Sequence, residues 1–516
     1  MLFSPARDEA RMKHSNLSSF HIVAASVVLL IGLCGAGANA QQPSAPAQAQ
    51  TAQAPQASQT KPSVQSFFGP PQPHTDAPPE PVKRYPGDGN GAYHTGIYRD
   101  LFAERGHTAA ESRAKVDAAF QQLFHGDKDT QAIYYEVGSN ANGPLAYLTD
   151  VANRDARTEG MSYGMMIAVQ LDKKHEFDAI WNWANTYMLV TDPKNPSVGY
   201  FAWSMNVDGT PRSDSAAPDG EEYFTMALYF AANRWGNGTG IYNYKEQADR
   251  ILSLMRHHEV LTGTRPFRIH PNDEPFVRKP RPLPPGAPAP PPRPPEATVG
   301  PMTEETYKMI RFVPDYGGGE KITDPSYHLP AFYELWARWG PEPDRAFWSE
   351  AADVSRNTFA KVTGPDTGLT PDRSHFDNSQ IIGVNGLATP FSYDSWRSVS
   401  NWSVDYSWWR KDPEERVLSD RIQKFLYGQG IHTFVDRYSL DGKPLSDRHS
   451  TGMVATTAVG SHAATKGQIS EAFLDELWNT PIPSGEQRYY DGMLYMMSMM
   501  HCSGNFRIWG PQTANP

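Results

Sequence analysis

Apolar residues recur along most of this chain at the three- and four-residue spacing of a helix, and only briefly at the two-residue spacing of a strand. "HTAAESRAKVDAAFQQLFHG" sets Ala110, Val116, Ala119, Phe120 and Leu123 on one side and meets its stop at Gly126. "KHEFDAIWNWANTYML" does the same with Phe177, Ile180, Trp181, Ala184 and Tyr187. "EEYFTMALYFAANRWG" repeats it with Tyr223, Met226, Ala227, Phe230 and Ala231, ending at Gly236. Further helices are predicted over "YHLPAFYELWARWG", "RAFWSEAADVSRNTFAKV", "SNWSVDYSWWRK", "LSDRIQKFLYGQGI" and "SEAFLDELWNT". With about a dozen such segments and no short-period repeat, the pattern predicts an all-α fold with long loops.

One helix raises a question of its own. In "RTEGMSYGMMIAVQLDKKHEFDAIW", Met161, Met165, Ala168 and Leu171 share a face that is expected to be buried, yet Glu159 stands at its mouth. Thr158 is a capping residue, and an acid in the first turn is ordinarily a partner for the helix dipole.

Composition adds the ends and the interruptions. "MKHSNLSSFHIVAASVVLLIGLCGAGANA", from Met12, reads as a secretory signal peptide over 1–40, with cleavage before Gln41 and a true start at Met12. Its apolar run is short for a membrane span, so no stable span is expected once the signal is removed. The mature chain then keeps only Cys502, which rules out an intramolecular disulfide. Residues 41–84, rich in Gln, Ala, Pro and Ser, are expected to form a disordered leader. The stretch "RKPRPLPPGAPAPPPRPPEATVGP" over 278–301 reads as a loop insertion in one folded domain, 85–512, because the helical pattern is alike on both sides. A net charge of −10 and the lack of a basic stripe exclude a nucleic-acid or anionic-membrane surface.

The chemistry is carried by aromatics and acids. Thirteen Trp and twenty-four Tyr exceed what a helical core needs, and "YFAWSMN", "FSYDSWRS" and "SNWSVDYSWW" set them beside polar groups, as a site for sugar rings would. Cleaving a glycosidic bond takes two carboxyl groups. Acids stand in suitable turns at Glu159, in the Asp219-Gly220-Glu221-Glu222 run, and at Asp394.

These three motifs, "TEGMSYGMM", "APDGEEYFTMALYFAANRW" and "YDSWR", resemble those of glycoside hydrolase family 8, in that order, across 85–510. Two positions depart from the family pattern: Pro218 stands for Ser or Thr, and Glu221 for a second Asp. Within the family, "GYFAWSMNVDGTP" and "DPSYHLPAFYELW" look like the reducing-end xylose-releasing exo-oligoxylanases. The resemblance implies an (α/α)6 barrel, six inner and six outer helices, and an inverting mechanism without metal or cofactor. It implies Glu159 as general acid and Asp394 as general base, some 6.5–9.5 Å apart. It implies Asp219 on the sugar at the cleavage point, Tyr327 and Arg397 as orienting groups, and Trp203 and Trp396 as sugar platforms. His449 in "SDRHSTGM", beside an Arg448 where the subgroup has Leu, is expected to close the cleft. A second carboxylate, Asp219, and burial against Met161 are expected to hold the proton on Glu159 against the helix dipole. The expected partner is a xylo-oligosaccharide, with no obligate protein partner, and the expected location periplasmic or extracellular. An endo-acting xylanase, endoglucanase or chitosanase of the same family remains open, as does a secreted carbohydrate-binding protein without turnover.

Overall fold

The computed structural model describes residues 79–213, 215–265, 296–317, 319–383 and 386–511. The signal peptide, most of the leader and the Pro-rich insertion as far as residue 295 lie outside the described residues. Pro79–Arg84, read from sequence as leader, lie against a helix of the folded part: Glu80 pairs with Lys361 at 2.6 Å and Arg84 with Glu350 at 3.0 Å.

Among the described residues, twelve helices run to nine residues or more. In chain order they are α1 (Ala109–His125), α2 (Thr158–Gln170), α3 (Lys174–Trp183), α4 (Pro218–Trp235), α5 (Tyr244–His257) and α6 (Pro330–Trp339), then α7 (Arg345–Val362), α8 (Trp396–Trp409), α9 (Glu414–Gly428), α10 (Thr451–Val459), α11 (Gln468–Asn479) and α12 (Arg488–Cys502). The fold is the (α/α)6 barrel, with the even-numbered helices inside. Each inner helix packs against the outer helix that follows it, and α12 packs back against α1. Around the inner ring, α2 touches both α4 and α12, and α8 touches both α6 and α10. Tyr333 closes the gap between α6 and α4 by donating its hydroxyl to Glu222 at 2.6 Å.

The two layers follow from two kinds of sequence. Outer helices bury one stripe: α5 covers Tyr244, Ala248, Ile251, Leu252 and Met255 and leaves its charges in water. Inner helices are buried on every side. α2 is buried at each position from Gly160 to Gln170, and α10 from Gly452 to Val459. Each large apolar side chain so enclosed contributes about 1.5–3 kcal/mol. Such packing leaves no room for side chains at the tightest crossing: a Cβ on Gly220 of α4 would lie 2.4 Å from the Cβ of Thr158 on α2. Buried Arg356 ties the layers together, forking onto Asp405 of α8 at 2.7 and 2.8 Å and reaching Glu334 of α6 at 2.9 Å.

Loop length is distributed unevenly. Connections from inner to outer helices are short, as in 171–173 and 340–344, whereas those from outer to inner, 480–487 apart, are long, as in 126–157, 184–217 and 363–395. The long ones all enter the N-termini of inner helices, so the loops gather at that end of the barrel. Among the described residues, strands lie in 126–157, 184–217, 258–329 and 363–395, and those of the first two set the site. The hairpin β1 (Tyr134–Asn140) and β2 (Gly143–Leu148) is followed by the antiparallel three-stranded sheet β3 (Asp155–Arg157), β4 (Ser204–Asn206) and β5 (Pro211–Ser213). Strand β3 runs straight into α2 and so sets where Glu159 stands.

Candidate active site

The N-terminal turns of the inner helices meet around one guanidinium. Arg397, in the first turn of α8, is buried and is held by partners from four directions. Its Nη1 donates to Asp219 of α4 at 2.9 Å and to the Tyr163 hydroxyl of α2 at 2.9 Å, and lies 3.4 Å from Glu159 Oε2. Its Nη2 donates to Ser326 Oγ at 2.9 Å and pairs with Asp394 Oδ1 at 3.2 Å. Because both nitrogens belong to one planar group, these Glu159 and Asp394 oxygens lie within about 9 Å of each other. The ring of Tyr327 lies 5.7 Å from the same guanidinium, and Tyr327 is itself buried. The fold thus brings Glu159, Asp219, Tyr327, Asp394 and Arg397, all expected site residues, to one point.

The local sequence explains the placement. Pro218 opens α4, where its missing N–H costs nothing, and puts Asp219 in the first turn. Glu221, the departure from the family motif, is fully buried and accepts the Phe201 backbone N–H at 3.0 Å, so it anchors the incoming loop and stays clear of the cleft. Tyr393, just before Asp394, has a φ of +40°, unusual for a bulky side chain, and its carbonyl accepts the Tyr490 hydroxyl at 3.2 Å.

Arg397, with Arg157 and Arg373 nearby, does not balance so many buried carboxyls at once. Burial raises the Glu159 carboxyl to about 8, with Asp219 and Asp394 adding to the rise and Arg397 opposing it. Asp219 is moved upward as well, by burial and Asp394 against the pull of Arg397. A fourth carboxyl, Asp324, escaped the sequence reading. It is fully buried, caps the turn Pro325–Tyr327 by accepting the Ser326 N–H at 2.8 Å, and is raised to about 8 by burial and by Asp394. These groups titrate together, and at neutral pH the cluster retains protons that exposed carboxylates would have lost.

The cleft above this cluster has a volume of about 480 Å³, within the range of small-molecule sites. Asp150, Arg157, Glu159, Asp394, Tyr489 and Tyr490 are among its lining residues. Tyr489 brings its hydroxyl to 3.4 Å from Glu159 Oε1. The Tyr489-Tyr490 pair also went unnoticed in the sequence, because nothing local marks it; only its place in the first turn of an inner helix does.

Three expectations fare differently. Trp396 is among the residues lining the cleft, yet it is 0% exposed, its indole N–H donates to the Asp436 carbonyl at 2.9 Å, and it backs the rings of Tyr393 and Tyr490. Tyr393, 49% exposed, lines the same cleft. His449 is not among the residues that line this cleft. Its Nδ1 bonds the Phe434 carbonyl at 2.6 Å and its Nε2 faces Glu476 at 3.6 Å. Arg448 reaches the cleft from that loop and is fixed there by an ion pair with Asp491. Trp203 stands beside the start of α2, half-buried, with the Arg157 guanidinium 5.5 Å above its ring.

Chemically, a protonated carboxyl and a second carboxyl group on either side of an arginine suit acid–base cleavage of an acetal. Among the described residues no group of three or more His, Cys, Asp or Glu is arranged to hold a metal ion.

The model of glycosyl hydrolases family 8 matches residues 142–266 and 302–504. A reducing-end xylose-releasing exo-oligoxylanase of Paenibacillus barcinonensis is 39% identical over 424 residues, 82% of this chain and 99% of that protein. One from Halalkalibacterium halodurans is 40% identical over 425 residues, 82% of this chain and 97% of that protein. Among solved structures, a catalytic mutant of a family 8 xylanase from Teredinibacter turnerae in complex with xylohexaose is similar at a TM-score of 0.73 and 47% identity, covering 82% of this chain and all of that one.

Proposed function

This chain belongs to glycoside hydrolase family 8, and we propose that it is an inverting hydrolase of xylo-oligosaccharides that releases xylose from the reducing end. The observation that carries the reading is the convergence of Glu159, Asp219 and Asp394 on Arg397 at the mouth of the inner barrel. The Glu159 carboxyl, its proton held by burial, gives that proton to the glycosidic oxygen as the bond to the anomeric carbon breaks. Asp394 takes a proton from a water that attacks the same carbon from the opposite face, so a β-linkage yields an α-product. Arg397 and Tyr327 orient Asp394 and the water, and Asp219 holds the sugar at the cleavage point. Reducing-end release is supported by curated relatives that carry that activity in their names.

A second reading, cleavage within the chain, is favoured by one observation: Arg448, and not His449, is among the residues lining the cleft. We infer from the N-terminal signal that the enzyme acts outside the cytoplasm. Among the described residues no helix is long and apolar enough to cross a membrane.

The test uses xylotetraose with a heavy isotope at its reducing-end oxygen. Labelled xylose with unlabelled xylotriose is the expected early product pair; labelled xylobiose would overturn reducing-end release in favour of internal cleavage. Proton NMR of the fresh product distinguishes inversion, an initial α-anomer, from retention.

A further inference from the structure

Tyr489 lies in the first turn of α12, 3% exposed, with its hydroxyl 3.4 Å from Glu159 Oε1. The other oxygen of the same carboxyl faces Arg397 Nη1, also at 3.4 Å. Glu159 thus has one donor for each oxygen, both slightly long in the free enzyme, as catalytic hydrogen bonds often are before substrate arrives. The ring of Tyr489 is pressed onto the backbone of α2 at the next residue. A Cβ on Gly160 would lie 2.5 Å from the Tyr489 hydroxyl and 2.6 Å from a ring carbon. No L side chain other than hydrogen fits there while the tyrosine keeps its place.

We propose that Tyr489 is a positioning residue for proton delivery, donating to Glu159 Oε1, and that Gly160 follows Glu159 because this ring needs the space. The inference rests on Glu159 being the general acid. When Glu159 gives its proton to the departing oxygen it becomes a carboxylate, and the Tyr489 O–H and the Arg397 N–H then each hold one of its oxygens. Tyr489 loses no proton in the step. Burial, together with Glu159, Asp150 and Asp155, keeps its phenol well above the ordinary range, while Arg157 pulls the other way. The charged and titratable groups facing Glu159 are Arg157 on the preceding strand, Tyr163 on its own helix, Asp219 on α4, Asp394 and Arg397 at the start of α8, and Tyr489 and Tyr490 on α12. Of these, Tyr489 is bonded to the oxygen that Arg397 does not reach.

The sign of the effect follows. Removing a donor from the carboxylate makes Glu159 a weaker acid. Its alkaline limb moves to higher pH, and reactions that need its proton slow down. The experiment compares Tyr489→Phe with wild type on xylotetraose, whose leaving group must be protonated, and on β-xylobiosyl fluoride, whose leaving group departs as an anion. The expected result is a kcat on xylotetraose lower by about ten-fold or more, in line with losing a hydrogen bond to a charged group. KM should change little, the alkaline limb should move upward, and turnover of the fluoride should stay within about two-fold. An equal loss on both substrates, or an unmoved limb, overturns the proposal and leaves Tyr489 a packing residue. Gly160→Ala adds a methyl without disturbing helix geometry and displaces the ring; it should give the same signature, and wild-type kinetics in that variant would refute the fit argument. Failure of the underlying reading is separate: Glu159→Gln at wild-type rate on xylotetraose would remove the general acid whatever Tyr489 does.

Discussion

Glu159 must keep a proton where much favours its loss: a helix N-terminus, Arg397 at 3.4 Å, and Arg157 two residues before it. Burial is the largest opposing influence and the neighbouring acids add to it, which settles the balance at about 8. The sequence made the conflict legible, since an acid opening an apolar helix is plain in "RTEGMSYGMM", and it named Asp219 as an opponent of the dipole. It could not rank burial above Asp219, nor find Asp324, because burial of a loop residue depends on what the other five inner helices bring. An acid that must be protonated loses activity as pH rises through its pKa, so kcat/KM on xylotetraose should fall along an alkaline limb centred near pH 8. Glu159→Gln should fold, abolish that limb, and lower turnover by about 10²–10⁴. A limb near pH 5 in wild type would show that Glu159 is not held protonated.

At the level of elements, outer α1, α3, α7, α9 and α11 and inner α2, α4, α6 and α8 were readable, whereas outer α5 and two inner helices were not singled out. α1 matches its sequence pattern to its ends, with Thr108 and Glu111 forming a capping box and the helix stopping before Gly126. α10, "TGMVATTAV", and α12, "RYYDGMLYMMSMMHC", passed unremarked, because a helix buried all round has no polar face to give it a period. The same burial hid the role of Tyr489, which lies in the first turn of α12. What locks the inner helices in register is the absence of side chains at their crossings. Gly220 is helical, so alanine there costs nothing in backbone propensity and should improve it. Its methyl, however, would meet Thr158 at 2.4 Å, one residue from Glu159. Gly220→Ala should therefore destabilise by about 1–3 kcal/mol in urea unfolding, as overpacking does, and lower kcat through displacement of α2. A more stable variant would mean that the two helices are free to part.

Across the whole molecule, the carboxyls that fold into the barrel bind protons more tightly than they would in an unfolded chain. Burial raises Glu159, Glu221 and Asp324 to about 8, and Asp372 and Asp412 to about 6. Glu334 runs the other way, lowered by Arg356 and Lys411, but its effect is confined to pH below the ordinary carboxylate range. A group whose folded pKa is raised contributes stability that is complete below its unfolded pKa and is lost as pH climbs through the folded value. The window for these acids runs from about 4 to about 8. A net charge of −10 works in the same direction, since each further deprotonation adds to a surplus of like charge. The melting temperature should therefore fall steadily between pH 5 and pH 8.5, the upper part of the window in which Glu159 also surrenders its catalytic proton. Glu221 separates the two effects, because it anchors the Phe201 backbone and does not line the cleft. Glu221→Gln keeps an oxygen for that N–H and carries no charge to bury, so it should flatten the decline while leaving the alkaline limb of activity near pH 8. Should the melting temperature of wild type stay level or rise across this range, proton retention by the buried acids would not govern stability. Should Glu221→Gln shift the activity limb along with the melting curve, the barrel's stability and its chemistry would share one titration instead of two.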